Sequence, residues 1–357
     1  MTHPALDETT APPSIGVRAV IVDRGPDSSI QAKVGTAKLG PLPPYALLVH
    51  PAYIGICGTD LEILHGRMPE TFLINYPHVM GHEWSGVVEQ VGASVTGFNV
   101  GDRVLGHGHL GGNDWFGVTH DGAAAELFHV PAAMCFPVPD SVDMLTAAMI
   151  EPFACVLTGV KKIGGISAAD TVHIHGLGAI GLAALVQAIT AGAKTVVFDP
   201  STRRRQAALE IGAAAAFNPL ETADINTAAA DAIGHGFADV VIEASGNPAA
   251  QAAALESADH NGRVLLMGVS RPKSAPARLG LLQERNLTVT SSTGAPVDVW
   301  PAAIRYVERA KIDLGAIVSS IHPFADAEEA IRCAEDSEAE IKVMLSPTPV
   351  SGANAAK

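Results

Sequence analysis

Cysteine is scarce in this sequence, and so are basic residues and long apolar runs. The four cysteines show neither the close, regular spacing of a disulfide scaffold nor a CxxC pair, so a small disulfide-stapled fold is excluded. A reducing cytoplasmic location is therefore expected. No stretch offers about 20 uninterrupted apolar residues, and no basic segment followed by an apolar one opens the chain, so we expect neither a membrane span nor a secretory signal. The cysteines are Cys57, Cys135, Cys155 and Cys333.

The shortage of basic residues limits the class of partner. Lysine and arginine number 23 against 37 aspartates and glutamates, which gives a formal net charge of −14. Neutralising nucleic-acid phosphates needs clustered lysines and arginines, and the one dense run is Arg203–Arg205, so no nucleic-acid partner is expected. Hydrophobic residues make up 48% of the 357 residues and charged residues 17%. That composition supports folded domains, and the length favours two of them.

The texture of the sequence changes along the chain. From Val17 to about Val138, short β-type runs alternate with Gly, Pro and Asn, which is typical of a β-rich domain. From about Thr158 to Gly294, apolar strands alternate with alanine-rich helices, which predicts an α/β fold with a doubly wound parallel sheet. The predicted strands are Val172–His175, Thr195–Asp199, Asp239–Glu243 and Arg263–Met267; two helices, Trp300–Lys311 and Ala325–Asp336, and a last strand, Ile341–Leu345, follow.

A glycine-rich string follows the first of these predicted strands and leads into an apolar helix. Glycines here would let backbone N–H groups approach a pyrophosphate at the helix N-terminus. Asp199 ends the next predicted strand about 20 residues on, where an acid accepts hydrogen bonds from ribose hydroxyls. A plain strand–turn–helix with an incidental acid is the alternative. The predicted cofactor-binding string is Gly176, Leu177, Gly178, Ala179, Ile180 and Gly181.

The choice between NAD and NADP depends on two neighbouring features. The carboxylate of Asp199 repels a 2′-phosphate, which predicts NAD. Arg203–Arg205 lie close enough in sequence to support a 2′-phosphate if they turn toward the ribose. We predict NAD, with NADP less favoured and Arg203 among the cofactor-binding residues.

Three separate segments of the first half carry residues of the types that bind zinc. Cys57 offers a thiolate, His82 an imidazole, and Glu83 or Glu151 a carboxylate. Three protein ligands leave a fourth position for water or a substrate oxygen, as catalytic zinc sites require. Residue type and spacing alone leave open that the cysteine is a core residue and the histidine structural.

Longer strings around these residues resemble the zinc-containing medium-chain dehydrogenases. The resemblance runs from about Val17 to Leu345. It implies a GroES-like catalytic domain over residues 1–157, completed by 297–357, around a Rossmann domain over 158–296. It also implies hydride transfer between a small alcohol and NAD, one catalytic zinc, and a homodimer or homotetramer. The strings are Gly55-Ile56-Cys57-Gly58-Thr59-Asp60, Gly81-His82-Glu83 continuing into Ser85–Gly92, and Gly101-Asp102-Arg103-Val104.

The resemblance also implies roles for single residues. Cys57 and His82 correspond to zinc ligands, and Glu83 to an adjacent carboxylate that ligates the metal or lies just behind it. Glu151 takes the position of the third ligand and, with a proline after it, is similar to the sorbitol and threonine dehydrogenase branch. Cys155 is a less favoured alternative, because its distance from the glycine string does not match.

A proton path is implied as well. Thr59 matches the hydroxyl that contacts the substrate alcohol. The family usually has a histidine five residues after the ligand cysteine, where this chain has Glu62. Glu62, His65 or water would complete the relay; Glu62 as a solvated helix residue is the other interpretation.

The segment after Gly101-Asp102-Arg103-Val104 departs from the family, because residues 106–115 contain no cysteine where a structural zinc is usually held. We predict no structural zinc. His107, His109 and His120 could bind a second metal instead, but an interpretation as loop or pocket residues is favoured. Two rival functions stay open: a zinc-free reductase of activated double bonds, and a non-catalytic nucleotide-binding protein.

Overall fold

The computed structural model describes residues 14–347 except 270–273 and 275. From the sequence we expect a loose N-terminus over residues 1–13, and these residues lie outside the described part of the chain. Among the helices that the structure describes, none has the length and apolar character needed to cross a bilayer.

The first part of the chain forms antiparallel sheets, as the β-type runs predict. One sheet has the strand order β2-β1-β4, and a larger one has β10-β6-β5-β3-β18-β17 with β9 added beside β3; β7 and β8 form a separate ribbon. The elements up to the middle of the chain are β1 (Ile15–Arg24), β2 (Ile30–Leu39), β3 (Ala46–Gly55), α1 (Gly58–Leu64), β4 (His78–Val79), β5 (Glu83–Val91), β6 (Arg103–Gly106), β7 (His109–Gly111), β8 (Asp114–Trp115), β9 (Phe128–Pro131), β10 (Cys135–Pro137), α2 (Met144–Ala148) and α3 (Ile150–Lys162).

The middle of the chain is a six-stranded parallel sheet of order β13-β12-β11-β14-β15-β16, wound with helices. This is the Rossmann order, in which successive strands are added to one side of the first strand and then, from the fourth strand on, to its other side. The four predicted strands are present, and β13 and β16 were not predicted. The elements are β11 (Thr171–His175), α4 (Ala179–Thr190), β12 (Lys194–Phe198), α5 (Thr202–Ile211), β13 (Ala215–Phe217), α6 (Ile225–Ile233), β14 (Ala238–Glu243), α7 (Pro248–Ser257), β15 (Ala258–Leu266), α8 (Leu281–Glu284) and β16 (Thr288–Ser291).

The last part of the chain returns to the first sheet. Strand β18 pairs antiparallel with β3, with Met344 opposite Gly55 and Leu345 opposite Ile54. The C-terminal residues therefore lie directly beside the segment that carries Cys57. The elements are α9 (Trp300–Ala310), β17 (Ser320–Pro323), α10 (Ala327–Glu335) and β18 (Val343–Ser346), close to the predicted helices and final strand.

Helices α3 and α9 pack together between the antiparallel sheet of the first part of the chain and the parallel sheet of the middle part. Phe153 of α3 is fully buried, and Trp300 at the start of α9 is 1% exposed. The indole of Trp300 stacks on Phe136 with ring centroids 6.0 Å apart. Burying side chains of this size stabilises the fold by about 2–3 kcal/mol each. The site residues described below are thus attached to a well-packed junction.

Two histidines occupy the central strand β11, where most Rossmann positions are apolar. His173 is fully buried, and neither of its ring nitrogens has a hydrogen-bond partner. Burial lowers its pKa to about 4. His175 stacks on Phe198 at 4.8 Å and shares a 3.1 Å hydrogen bond with the Ser257 hydroxyl. Burial, and then repulsion from His173, lowers the pKa of His175 to about 3.

These buried histidines predict an acid-sensitive fold. Between about pH 6.5, where an unfolded histidine gains its proton, and pH 4, the unfolded state binds more protons than the folded state at position 173. Stability therefore falls as pH falls through this window. For His173→Val, we expect the loss in unfolding free energy between pH 7 and pH 5 to be about 2 kcal/mol smaller than in the wild type, from urea titrations.

A matched control is His260→Gln, because the side chain of His260 is 73% exposed. That variant should keep the wild-type pH dependence. An unchanged pH dependence in His173→Val would contradict the account.

Candidate active site

The pairing of β3 with β5 brings the predicted metal ligands together. Gly55 lies opposite Glu83 in this pair, and Cys57 follows two residues after Gly55. One ligand atom each from Cys57, His82 and Glu83 lies within 4.8 Å of the others, and His82 and Glu83 are buried. Across the residues that the structure describes, this is the one such group of histidine, cysteine and acidic side chains.

Asp60 lies beside the imidazole of His82, a neighbour that the sequence reasoning missed. Its Oδ2 accepts a 2.8 Å hydrogen bond from the Cys57 N–H, and its Oδ1 lies 3.7 Å from His82 Nδ1. Burial raises the pKa of Asp60. Burial opposes protonation of His82, but Asp60 and then Cys57 raise the pKa of His82 well above its usual value. A carboxylate behind one ring nitrogen leaves the other ring nitrogen for a metal.

Lys342 holds the neighbouring carboxylate, and it too was missed. Its Nζ pairs with Glu83 Oε2 and donates a 2.9 Å hydrogen bond to the Ile56 carbonyl. The two charged side chains are only 3% and 2% exposed. Burial opposes ionisation of Glu83, but Lys342 and then His82 hold its pKa below the usual value. A Cβ at Gly55 would collide with Glu83 Oε2 and lie 2.9 Å from Lys342 Cε, so this pair needs glycine there.

Glu151 lies in the first turn of α3 at the edge of this cluster. Burial, and then repulsion from Glu83, raises the pKa of Glu151 to about 7. The Cys155 thiol donates a 3.7 Å hydrogen bond to Glu151 Oε1. Burial, and then Glu151, raises the pKa of Cys155 well above its usual value, which disfavours the thiolate that a metal requires. Glu151 thus flanks the three clustered residues without being part of their 4.8 Å group.

The donor set suits zinc. A thiolate, an imidazole and a carboxylate, which range from soft to hard donors, are ligands that zinc accepts in catalytic sites. Buried carboxylates that repel one another are also the environment in which a dication is stabilising. The residues present therefore fit a zinc ion at Cys57, His82 and Glu83.

The predicted proton-path residues separate into two places. Thr59 lies beside the cluster, with its hydroxyl 3.8 Å from the Cys57 sulfur. The Glu62 carboxylate pairs with Arg67 at 3.0 Å. His65 contacts the same arginine at 2.6 Å and Glu335 at 3.0 Å. The part of Glu62 or His65 in a relay stays a prediction.

The three loop histidines point to three different neighbours. His107 is buried, with its ring 6.1 Å from Trp300. His109 packs on Trp115, and His120 pairs with Asp114 at 2.6 Å. They do not meet at one point, which favours the interpretation of loop and pocket residues.

The predicted cofactor loop lies at the carboxyl ends of β11 and β14, where the strand order reverses. Gly176 has a φ of +91°, and a Cβ there would lie 2.7 Å from Ser245 Cβ. A Cβ at Gly181 would collide with the Gly176 carbonyl oxygen, whereas one at Gly178 would meet nothing within 4 Å. Gly178 is also the N-cap of α4 and provides no side-chain cap. The first N–H groups of α4 are thus left for an anionic ligand such as a pyrophosphate.

Asp199 follows β12 and supports the glycine loop. Its Oδ2 accepts a 2.7 Å hydrogen bond from the Leu177 N–H, and its Oδ1 accepts one of 2.8 Å from the Ser201 N–H. Asp199 is 3% exposed. Each carboxylate oxygen can accept a second hydrogen bond, so ribose hydroxyls remain compatible with this arrangement.

The three arginines that follow are engaged by carbonyl oxygens. Arg203 donates to the Ser319 carbonyl at 3.3 Å, and Arg204 to the Glu340 carbonyl at 2.9 Å. Arg205 donates to the backbone carbonyls of Asp199, at 2.8 Å, and Pro200, at 2.7 Å. A 2′-phosphate would have to compete with these contacts for a guanidinium group.

Family models match both the part of the chain that carries the clustered Cys57 and His82 and the part that carries the glycine loop. Residues 43–140 match the alcohol dehydrogenase GroES-like domain, and residues 179–309 match the zinc-binding dehydrogenase model. The first match includes the segments with Cys57 and His82, and the second begins within the glycine string.

Individual relatives cover most of the chain. L-threonine 3-dehydrogenase of Pyrococcus abyssi is 31% identical over 294 residues, 77% of this chain and 84% of that protein. The 2-dehydro-3-deoxy-L-galactonate 5-dehydrogenase of Pseudoalteromonas atlantica is 29% identical over 309 residues, 82% of this chain and 89% of that protein. A Sinorhizobium meliloti structure bound to NADP has a TM-score of 0.84 at 28% identity and covers 93% of this chain and 100% of its own.

Two glycine substitutions separate the contribution of the cofactor loop to cofactor binding from its contribution to stability. Gly178→Ala places its methyl group in open space at a φ of −68°, so the melting temperature should stay within about 2 °C of the wild type. Because Gly178 is the N-cap of α4, this methyl group would compete for space with a pyrophosphate at the helix N-terminus, and we expect NADH affinity to fall at least about tenfold in fluorescence titrations.

Gly181→Ala is the contrasting variant, since its methyl group would collide with the Gly176 carbonyl. It should lower the melting temperature by several degrees. Equal NADH affinity in Gly178→Ala and the wild type would contradict this placement of the cofactor.

Proposed function

This chain belongs to the zinc-dependent medium-chain dehydrogenase/reductase superfamily, and on that premise we propose that it transfers hydride between a polyol-like secondary alcohol and NAD. The family and its relatives identify an oxidoreductase acting on alcohol and carbonyl groups. The observation that carries the finer proposal is the convergence of Cys57, His82 and Glu83 within 4.8 Å. A zinc-free reductase of activated double bonds has no use for such a group.

We propose one zinc per chain. Cys57 and His82 would hold it directly, and Glu83 would supply the third ligand, because its carboxylate lies within the tight group while Glu151 flanks it. The zinc would supply Lewis acidity toward the alcohol oxygen, and the nicotinamide would supply the hydride acceptor. Asp60 keeps the imidazole in the orientation in which His82 can serve as a ligand.

The chain itself handles the proton. The Thr59 hydroxyl lies 3.8 Å from the Cys57 sulfur, so a substrate hydroxyl at the cluster would be within its reach. We propose that the Thr59 hydroxyl accepts the alcohol proton as it donates its own proton outward to Glu62, His65 or water. The ion pair of Glu62 with Arg67 keeps that carboxylate at the outer end of the path.

The ligand assignment predicts an order among zinc affinities. Glu83→Gln replaces a directly bound carboxylate with a neutral amide and leaves buried Lys342 without its counter-charge, so we expect zinc affinity to fall by at least about 100-fold. Glu151→Gln changes a flanking group, for which about tenfold is expected. Competition with a chromogenic chelator measures both values.

Glu308→Gln on the exposed side of α9 is the matched control and should bind zinc like the wild type. A larger loss in Glu151→Gln than in Glu83→Gln would assign the third ligand to Glu151 and overturn our choice.

The preference for NAD follows from charge near the ribose. Asp199 presents a carboxylate where a 2′-phosphate would bring further negative charge. Arg203, Arg204 and Arg205 each donate to backbone carbonyl oxygens, so a 2′-phosphate would have to compete with these contacts to gain a counter-charge. The relative solved with NADP makes the alternative worth testing directly.

We expect kcat/KM to favour NAD over NADP by at least about tenfold at equal concentrations. Asp199→Asn should narrow the ratio, because it removes the charge and keeps an oxygen acceptor. Arg203→Ala should leave the ratio within about twofold, since that guanidinium contacts Ser319. A wild-type preference for NADP would refute the argument from Asp199.

Location and assembly remain part of the proposal. The four cysteines are unpaired in the structure, which is compatible with a reducing cytoplasm. We propose a homodimer or homotetramer, and a division of the chain at residues 157/158 and 296/297.

A further inference from the structure

The segment between β6 and β9 replaces the cysteine-rich lobe with a small ribbon, β7–β8, that ends in Trp115. Trp115 is half-buried, whereas Trp84 and Trp300 are each 1% exposed. Nothing in the proposed chemistry uses this indole. The indole lies between the cluster of Cys57, His82 and Glu83 and the parallel sheet that carries the cofactor loop, and this position indicates a function.

Two glycines make room for the six-membered ring of Trp115. A Cβ placed on Gly108 would lie 3.6 Å from Trp115 Cε3 and 3.7 Å from His82 Cβ. A Cβ placed on Gly294 would lie 3.3 Å from Trp115 Cη2. Gly294 follows β16, at the carboxyl edge of the sheet where the cofactor loop also lies. The indole therefore extends from beside His82, a predicted zinc ligand, to the edge of the parallel sheet that carries the cofactor loop.

The indole is held in this position from the loop side. His109 faces Trp115 across the β7–β8 ribbon, with ring centroids 4.8 Å apart. The backbone N–H of Trp115 donates a 2.8 Å hydrogen bond to the Thr119 hydroxyl, which in turn donates one of 2.6 Å to Asp114. Asp114 also pairs with His120 at 2.6 Å. These contacts fix the backbone at Trp115, and an indole packed on His109 loses less side-chain entropy when it meets a ligand than a free one would.

We propose that Trp115 is a specificity-determining residue that contacts the part of the substrate extending beyond the reacting carbinol carbon. This inference rests on the proposed function, because it needs an alcohol bound between the metal cluster and the nicotinamide. The ring of Trp115 would form one wall of the space that holds this alcohol, beside His82.

The chemistry of an indole selects the kind of substrate. Its face carries partial negative charge and an apolar surface. The C–H bonds along a chain of hydroxylated carbons are weakly positive and can pack on such a face while the hydroxyl groups point away to water or polar groups. A short alcohol ends before it reaches the ring. Trp115 should therefore favour long polyols over short diols.

The test compares sorbitol with 2,3-butanediol in the full-length zinc-loaded enzyme at saturating NAD. Trp115→Ala should raise KM for sorbitol about tenfold and change kcat by less than about twofold. KM for 2,3-butanediol should stay within about twofold. Trp115→Phe, which keeps an aromatic face, should restore most of the sorbitol KM.

The control is Leu110→Ala on the same ribbon, because Leu110 is 40% exposed and lies away from the two glycines. It should match the wild type with both alcohols. Equal effects of Trp115→Ala on both alcohols, or an effect confined to the melting temperature, would assign the indole a purely structural role and overturn the proposal.

A binding measurement keeps the two proposals separate. With NADH bound, sorbitol should change the emission of Trp115 in the wild type and leave the emission of Trp115→Phe unchanged, since Trp84 and Trp300 are buried. Absence of this change in the wild type overturns the role of Trp115. Absence of turnover with any alcohol overturns the proposed function, while the fluorescence measurement still decides on Trp115.

Discussion

The structure depends on one constraint, which is the burial of several acidic side chains close together beside Cys57. Asp60 and Glu83 are buried around the Cys57 thiol, and Glu151 flanks them. Carboxylates that close to one another raise each other's pKa unless positive charge compensates. Lys342 pairs with Glu83 and also lowers the pKa of Asp60 and Glu151, but burial, and then repulsion from Glu83, still raises the pKa of Glu151 to about 7. A bound dication would complete the compensation.

The pairing register of three strands brings these buried charged side chains together. β3 lies between β5 and β18, so Gly55 faces both Glu83 and Met344. The last described residues of the chain thereby deliver Lys342 to a cluster built by residues near position 57. Glycine at position 55 is required because the ion pair takes the space of its Cβ. The C-terminal segment is thus an integral part of the proposed metal site.

Sequence reasoning reached the fold class from local signals, and it singled out Cys57, His82 and Glu83, which the structure brings together, from a family resemblance. A glycine string between a strand and a helix predicts a nucleotide loop, and Cys57, His82 and Glu83 stand in recognisable strings. Asp60 stood within one of those strings, but its contact with His82 depends on chain folding. Lys342 was the one charged residue in a predicted apolar strand, and its partner is more than 250 residues away. Short strands β13 and β16 were missed because runs of three or four residues carry no clear period.

Zinc K-edge X-ray absorption on the purified full-length protein, with metal content measured on the same sample, tests the central claim most directly. The account predicts one zinc per chain with one sulfur at about 2.3 Å and nitrogen or oxygen neighbours at about 2.0–2.2 Å. Two or more sulfur neighbours, or a fully active protein without zinc, would contradict it.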